Sequence, residues 1–422
     1  MINLNKEISS VPLPSSFNAQ MKRYREKGLK RYSESGLPGK KVEHWMKFDI
    51  NPLKEIIYKE ALESIDKNRP DLHREFTGIC ERIDIINGFI QDHKGTGYRI
   101  STLSSGDDTG RIPELIGSAG DEKGNYFYNL NSSLFSDTIL IRVEKDNKKR
   151  NPLYISQLML GKSEPIISNS RIIVEIEEGA KLELIQSFSG KSSSPYLNNS
   201  VTEIILHKNA RMDHVVLQED SEEAFVFNNL FVTQGESSEY NLQTLNAGAS
   251  ISRNEYHINL SRKNSSCHVT GLFLGKKNQL HNSDVTIHHN APACTSRTTT
   301  KAIAGGASQG VFRGFAIVNP GAQKSDAIQQ FKSILLNDTC QINMEPHLEI
   351  WADDVKCSHG ATVGQLDQNQ LFYLQQRGFT PEDARKVLLE AFAADVAELI
   401  SIEKVNEIIK AGIYTLMDDL YE

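Results

Sequence analysis

Cysteine is scarce: Cys80, Cys267, Cys294, Cys340 and Cys357 are the five in 422 residues, and none stands in a C-x-x-C pair. Such usage argues against a disulfide framework and reads as free thiols in a reducing compartment. No apolar run approaches the roughly 18 residues that a membrane span requires. The opening MINLNKEISSVPLPSS lacks a basic stretch followed by an apolar one, so a secretory signal is not expected and the cytoplasm is. A basic stripe is also missing. The formal net charge is −7 and the charged residues, 24% of the chain, mix both signs, which speaks against a nucleic-acid partner. The phosphate-cradling, nucleophile-elbow and H-E-x-x-H patterns are absent as well. Gly305, Gly306 and Gly310 stand between strand-like runs rather than before a helix, where they serve tight turns.

What is present falls into three textures, and their limits define the expected regions. Residues 1–136 form an N-terminal helical and mixed region, 137–362 a β core, and 363–422 a C-terminal helical region. In the first, Ser15 and Ser16 are placed to cap a helix that Gly36 and Pro38 stop. Leu53 to Ser64 also reads as helical. Ile83–Ile86, Asn87-Gly88 and Phe89-Ile90 then read as a hairpin, because Asn-Gly supplies the two positive-φ positions of a tight turn.

From about Asp137 short strands rich in Val, Ile, Thr and Ser replace the helical period. A turn residue, a small residue and an alternating strand recur at Gly179-Ala180, Asn209-Ala210, Ser237-Ser238, Ser265-Ser266 and Pro292-Ala293, with echoes at Gly306-Ala307 and Gly321-Ala322. Steps near 28 residues hold two strands and two turns. Such a unit cannot bury its own apolar face, so it has to stack on copies of itself. The fold class expected is mainly β: a parallel β-helix flanked by helical regions, with an ordinary β-sandwich as the alternative. In the last region Asp367 caps a helix to Arg377 that Gly378 ends, and Thr380-Pro381-Glu382-Asp383 opens the next. Leu388, Ala391, Phe392, Asp395, Val396 and Leu399 trace an apolar stripe on it. Ser401 is placed to cap a last helix running through Ile408, Ile409, Ile413, Leu416 and Met417. The helical pair caps the solenoid end or docks a partner.

Three groups of residues could carry chemistry. His288-His289 are strand neighbours that point to opposite faces and make a poor chelate. His347, beside Leu348 and Ile350, reads as surface. Cys357 and His359 share one face of a strand, about 7 Å apart, and could both reach a soft metal or an iron–sulfur edge. Two ligands make half a site, which another chain would have to complete; a buried Cys beside a hydrogen-bonded His is the alternative.

The run PHLEIWADDVKCSHGATVGQLD from Pro346 to Asp367, followed by LFYLQQRG at 371–378, resembles the C-terminal signature of the SufB/SufD family of iron–sulfur cluster assembly proteins. Arg313-Gly314, Val318–Ala322, Gln329-Gln330 and Ser333–Leu336 are similar to that family's last β-helix coils, and Glu43–Phe48 to its N-terminal E-x-W-K-Y pattern, with Phe48 for Tyr. The resemblance implies a right-handed β-helix and a scaffold without turnover of its own. It also implies a complex with a SufB-like paralogue, met through the last strands, and a SufC-like ATPase, met through the C-terminal helices around Leu371, Phe372, Leu388 and Phe392. The missing N-terminal cysteine cluster and the Cys357-Ser358-His359-Gly360 sequence place the chain on the SufD side of the family. By the same resemblance, His359 with Cys357 would help hold a transient iron–sulfur cluster at the paralogue interface, with none expected in the isolated chain. Cys340, six residues before Pro346, corresponds to a SufB-side cysteine and becomes a further thiol candidate; a buried core cysteine is the alternative. Without its paralogue the chain is expected to pair with itself. A β-helix carbohydrate-active enzyme is the rival reading, but the repeat places no acid at a fixed position.

Overall fold

The computed structural model describes residues 2–4, 8, 14, 17–61, 76, 78–92, 98–104, 110–120, 125–145, 151–161, 163–397 and 403–418. Strands stack in two sheets, and each coil of the chain gives one strand to each. One sheet runs through Tyr196–Leu206, Ala224–Gln234, Ile251–Leu260, Leu280–His289, Gln309–Val318 and Gln341–Ile350. The other runs through Lys181–Lys191, Arg211–Glu219, Glu239–Asn246, Ser266–Gly275, Thr295–Ala304, Asp326–Leu335 and Lys356–Gly364. All these neighbours pair in parallel. A parallel pair needs a long crossover, and here the strand in the opposite sheet supplies it. Alternate side chains meet between the sheets as a continuous core that includes Leu182, Leu184, Ile204, Val232, Ile258 and Ile287.

The repeat is real, and its register differs from the sequence reading in two turns. The ladder aligns Lys181, Arg211, Glu239, Ser266 and Thr295, so the steps are 30, 28, 27 and 29 residues. The corner residues with positive φ are Gly179, Asn209, Ser237, Asn264, Ala293 and Lys324. Asn264 and Ala293, not Ser265 and Pro292, take that role in the fourth and fifth turns. Each corner N–H donates to a carbonyl of the next coil, as Asn209 does to Glu236 at 2.9 Å and Ala293 to Gln323 at 2.8 Å. The residue after each corner is small because it is buried against its copies: Ala180, Ala210, Ser238, Ser265, Cys294 and Ser325.

Outside the coils the expectations fare unevenly. The Asn87-Gly88 hairpin forms, with φ of 55° and 88°. The first helix, Ala19–Ser35, is capped by Asn18, whose side chain accepts from the Met21 N–H, and it stops at Gly36. Ser15 and Ser16 lie outside the described residues. The helix read over Leu53–Ser64 is replaced by a short turn at Asn51–Lys54 and a strand at Ile57–Glu60. Edge pairing with Ile2–Asn3 and with Ile166–Ser168 overrides the local helical pattern there; Leu62 and Ser64 lie outside the described residues.

The helices Ala19–Ser35 and Tyr126–Leu134 cover the outer face of the first sheet. Their seat is Arg171, fully buried, which donates to Glu203 at 2.6 Å, Tyr24 at 2.8 Å and Tyr128 at 3.0 Å. Gly28 lets the two helices touch, since a Cβ there would stand 2.7 Å from Ser132.

At the other end Asp367 caps Gln368–Gln376, Gly378 takes a φ of 96°, and Thr380 Oγ1 accepts from the Asp383 N–H at the start of Pro381–Ala397. The inward stripe of that helix is Ala384, Leu389, Ala393 and Val396, with Phe392 partly buried against the same cluster; of the predicted stripe Phe392 and Val396 pack inward, while Ala391 is exposed and Leu388 half-buried. Leu389, Ala393 and Val396 pack with Ile413 of the helix Glu403–Asp418 against Leu217, Leu245, Leu272 and Ile303. The helical pair therefore lies along the outer face of the second sheet and does not close the solenoid end. Leu399 and Ser401 lie outside the described residues.

Two outcomes follow at the corner between Asp220 and Gly248. A Cβ on Gly248 would meet the Asp220 carbonyl oxygen at 2.3 Å, so Gly248→Ala should destabilise the chain by about 1–3 kcal/mol in urea unfolding. Burial pushes the Asp220 carboxyl up to about 6 from 3.8, despite bonds from Tyr196 and Gln218. The folded state thus holds a proton that the unfolded state releases, and stability should fall as pH rises from about 4 to about 6. Asp220→Asn should flatten that segment of the urea-midpoint profile.

Candidate functional site

The solenoid ends on an open coil. Gln341–Ile350 pairs only with Gln309–Val318, and Lys356–Gly364 only with Asp326–Leu335, which leaves one backbone edge of each unpaired among the described residues. Unpaired edges are pairing sites; Glu345, Pro346 and Glu349 lie on the first of these strands and Lys356 opens the second. The rim exposes Ile350, Trp351 and Val363, with 66% of Trp351 accessible.

Register decides which side chains look into the mouth of this coil. Cys357 continues the row of Ala327, and His359 the row of Gln329. Both lower residues point inward and are buried. Cys357 and His359 therefore share the inward face, as strand alternation required, on a coil that no further strand covers. Gln329, one rung below His359, keeps a buried Oε1 without a hydrogen-bond partner among the described residues. Across the mouth the partly buried Ile342 and Met344 pack against Phe312 and Phe331. Burial pushes the Cys357 thiol up, partly offset by a hydrogen bond with the Ala327 backbone. A thiol and an imidazole on one strand face are soft donor types, and two of them fall short of a closed ligand set.

Cys340 does not join them. It is buried at the corner before Gln341, where its Sγ donates to the carbonyls of Asn337 at 3.1 Å and Ala304 at 3.2 Å. That is the same corner position as Ser308, whose hydroxyl donates to Gly305. The whole strand Gln341–Ile350 separates Cys340 from the corner next to Cys357, a span of roughly 30 Å. Among the described residues no group of three or more His, Cys, Asp and Glu is arranged to hold a metal ion.

The other candidates separate cleanly. His289 is buried between the sheets against Ser296, while the neighbouring His288 faces outward and is half-buried. His347 faces outward and stacks on Phe315 at 4.7 Å. Of the four partner-docking residues, Phe372 is exposed, Leu371 is buried, Leu388 is half-buried and Phe392 packs inward under Lys301. The apolar surface of the C-terminal helices consists instead of Phe372, Tyr373, Phe379 and Val387. Sequence reasoning missed Tyr373, Phe379, Val387, Trp351 and Val363. A periodic pattern marks the face that is buried; which remaining apolar residues stay uncovered depends on where the helix lies on the sheet.

Thiol accessibility checks these placements. Iodoacetamide at neutral pH should modify Cys357 first and Cys80 slowly, because burial pushes the Cys80 thiol up to about 11. Cys267, Cys294 and Cys340 should react only after denaturation. Peptide mapping by mass spectrometry reads the order, and rapid native labelling of Cys340 would contradict its corner position.

Comparison with known proteins agrees with this architecture. Residues 159–392, more than half of the chain, match the family model described as SUF system FeS cluster assembly, SufBD core domain. An iron–sulfur cluster assembly SufBD family protein of Synechocystis is 29% identical over 395 residues, covering 88% of this chain and 85% of that one. The iron–sulfur cluster assembly protein SufD of Escherichia coli is 26% identical over 398 residues, 91% and 90% of the two chains. The chloroplastic protein ABCI7 of Arabidopsis thaliana is 34% identical over 309 residues, 71% and 64%. No helix among the described residues is long and apolar enough to cross a membrane. With its parallel coils, its open last coil and this match over most of the solenoid, the chain belongs to the SufBD core family of the SUF iron–sulfur cluster assembly system.

Proposed function

We propose that this chain is the SufD-like, non-catalytic subunit of a SufB–SufC–SufD-type scaffold that builds iron–sulfur clusters in the cytoplasm and passes them on. The observation that carries the reading is the pair Cys357 and His359, facing inward on a coil whose backbone edges are unpaired and whose rim is apolar. A SufB-like paralogue ending in a similar open coil can add strands to both edges, continuing the ladder across the interface. The mouth is then closed from the far side, and donors from the paralogue complete a ligand set of which this chain supplies half. The cluster is cargo. It is assembled from sulfur, iron and electrons brought by other proteins.

A SufC-like ATPase fits the second exposed apolar surface, Phe372, Tyr373, Phe379 and Val387. The chain carries no phosphate-binding loop of its own, so nucleotide-driven motion would have to enter through those helices. Because they pack on the outer face of the sheet that contains Lys356–Gly364, movement of the ATPase has a short mechanical route to the ligand strand. When the paralogue is missing, the same open edges favour a homodimer.

The test uses the chain co-expressed with a paralogue and an ATPase of the family. His359→Ala should leave the assembled complex the same size by gel filtration and lower its iron and acid-labile sulfide content roughly tenfold, the scale expected for losing one ligand. Unchanged cluster content would remove His359 from the site. Loss of the complex itself would assign the residue to the interface rather than to the cluster.

A further inference from the structure

The outer face of the first sheet carries a ladder of rings with one rung missing. In register along the coils stand Phe231, His257, Thr286, Phe315 and His347. Phe231 and His257 stack at 5.0 Å with their planes 6° apart, and Phe315 and His347 at 4.7 Å with the same 6°. Those separations are the inter-strand spacing, about 4.8 Å. Thr286 occupies the middle rung and has no ring, so His257 and Phe315 stand two strand spacings apart, about 10 Å. At that place there is a cavity of about 380 Å³, lined by His257, Thr286 and Phe315 and by the segment that crosses above them.

The walls of the cavity are held rigidly. Arg253 lies over the Trp45 ring at 3.8 Å and donates to the His44 carbonyl, to Glu255 and to Asp284. Arg313 donates to Asp284 and to the same His44 carbonyl. The segment Glu43–Trp45 is thereby strapped across the sheet, and the His44 ring meets Phe315 edge-on at 5.6 Å. Glu255 is held ionised at about 2 by Arg253 and His257, against the cost of burial. A carboxylate offers about four acceptor positions; Glu255 accepts from Arg253 and from Asn125 at 2.6 Å, Asp284 from Arg253, Arg313 and Asn282, and both line the cavity with acceptor positions to spare.

We propose that this gap is a binding slot for a planar heteroaromatic ring bearing N–H donors, of the guanine type, stacked between His257 and Phe315. A flat ring at the Thr286 rung would lie about 4.8 Å from each neighbour, the spacing of the two stacks already present. Its N–H edge would face the carboxylates, and the apolar part of the cleft would be its own faces against the two rings. A saturated sugar or an aliphatic chain would satisfy neither the stacking nor the donor requirement. The site lies on the outer face, away from the mouth of the coil, so it stands or falls independently of the cluster reading.

Guanosine is the probe, titrated into the full chain at up to millimolar concentration and followed by calorimetry and by saturation-transfer NMR. Binding by the parent chain is expected, and Thr286→Phe should abolish it, because a phenyl ring completes the ladder and fills the slot. The thermal midpoint of that variant should not fall. His257→Ala removes one stacking wall without filling the space and should weaken binding about tenfold; it decides the matter if Thr286→Phe fails to fold. Absence of guanosine binding, or binding indifferent to both substitutions, would overturn the proposal.

Discussion

Each inner strand of the coils depends on hydrogen bonds to the coil before it and the coil after it, and that parallel ladder constrains everything else in the molecule. A parallel pair has no tight turn available to it, so the chain must travel through the opposite sheet to return to its neighbour. The corner residues solve the return by taking positive φ and donating their N–H groups to the next coil. The ladder also has to stop. Where it stops, two strands face solvent with their edges unsatisfied, and the inward rows that were core in earlier coils become the lining of an open mouth. Cys357 and His359 are set apart by position: the same rows hold Cys267 and Val269 three coils earlier, both buried.

The outer faces meet a different constraint. A two-sheet solenoid buries its inner side chains by stacking, but its outer sides need cover. The N-terminal helices cover one sheet through Arg171 and Glu203, a fully buried ion pair. Such pairs return little net stability after desolvation, and removing either partner is costly. Their value here is geometric, since Arg171 also donates to Tyr24 and Tyr128 and so sets both helices on the sheet. Arg253 and Arg313 do the same for the strap at Glu43–Trp45. The second sheet is covered by an apolar contact instead, with Leu389, Ala393 and Val396 on a ridge of leucines.

Much of this was legible in the residues. The recurring turn-small-strand pattern announces stacked coils, because only identical environments ask for identical residues at a fixed step. The hairpin at Asn87-Gly88 and the caps at Asp367 and Thr380 are local, and local chemistry decided them. The errors share one cause. Ser265 and Pro292 match the corners by composition alone; Asn264 and Ala293 hold the place because strand pairing, not composition, sets register. The strand at Ile57–Glu60 had a helical local pattern and was captured by an available sheet edge. The stripe through Leu388, Ala391, Phe392 and Val396 holds at Phe392 and Val396, while Leu389 and Ala393 take the inward places expected of Leu388 and Ala391, since a helix with apolar residues on several faces buries whichever one fits the surface beneath it.

The sequence by itself determined that the chain is a repeating parallel solenoid with helical flanks, and that Cys357 and His359 share a face. Those are consequences of period and alternation, which belong to the chain. Tertiary structure decided that this face opens at the last coil, that Cys340 sits at the far corner, and that Phe372 rather than Leu371 or Phe392 meets solvent. It also decided that four rings from four strands line up with a gap at Thr286. Each of these depends on which residues become neighbours across coils, 26 to 32 positions apart in the chain, and no local period carries that information.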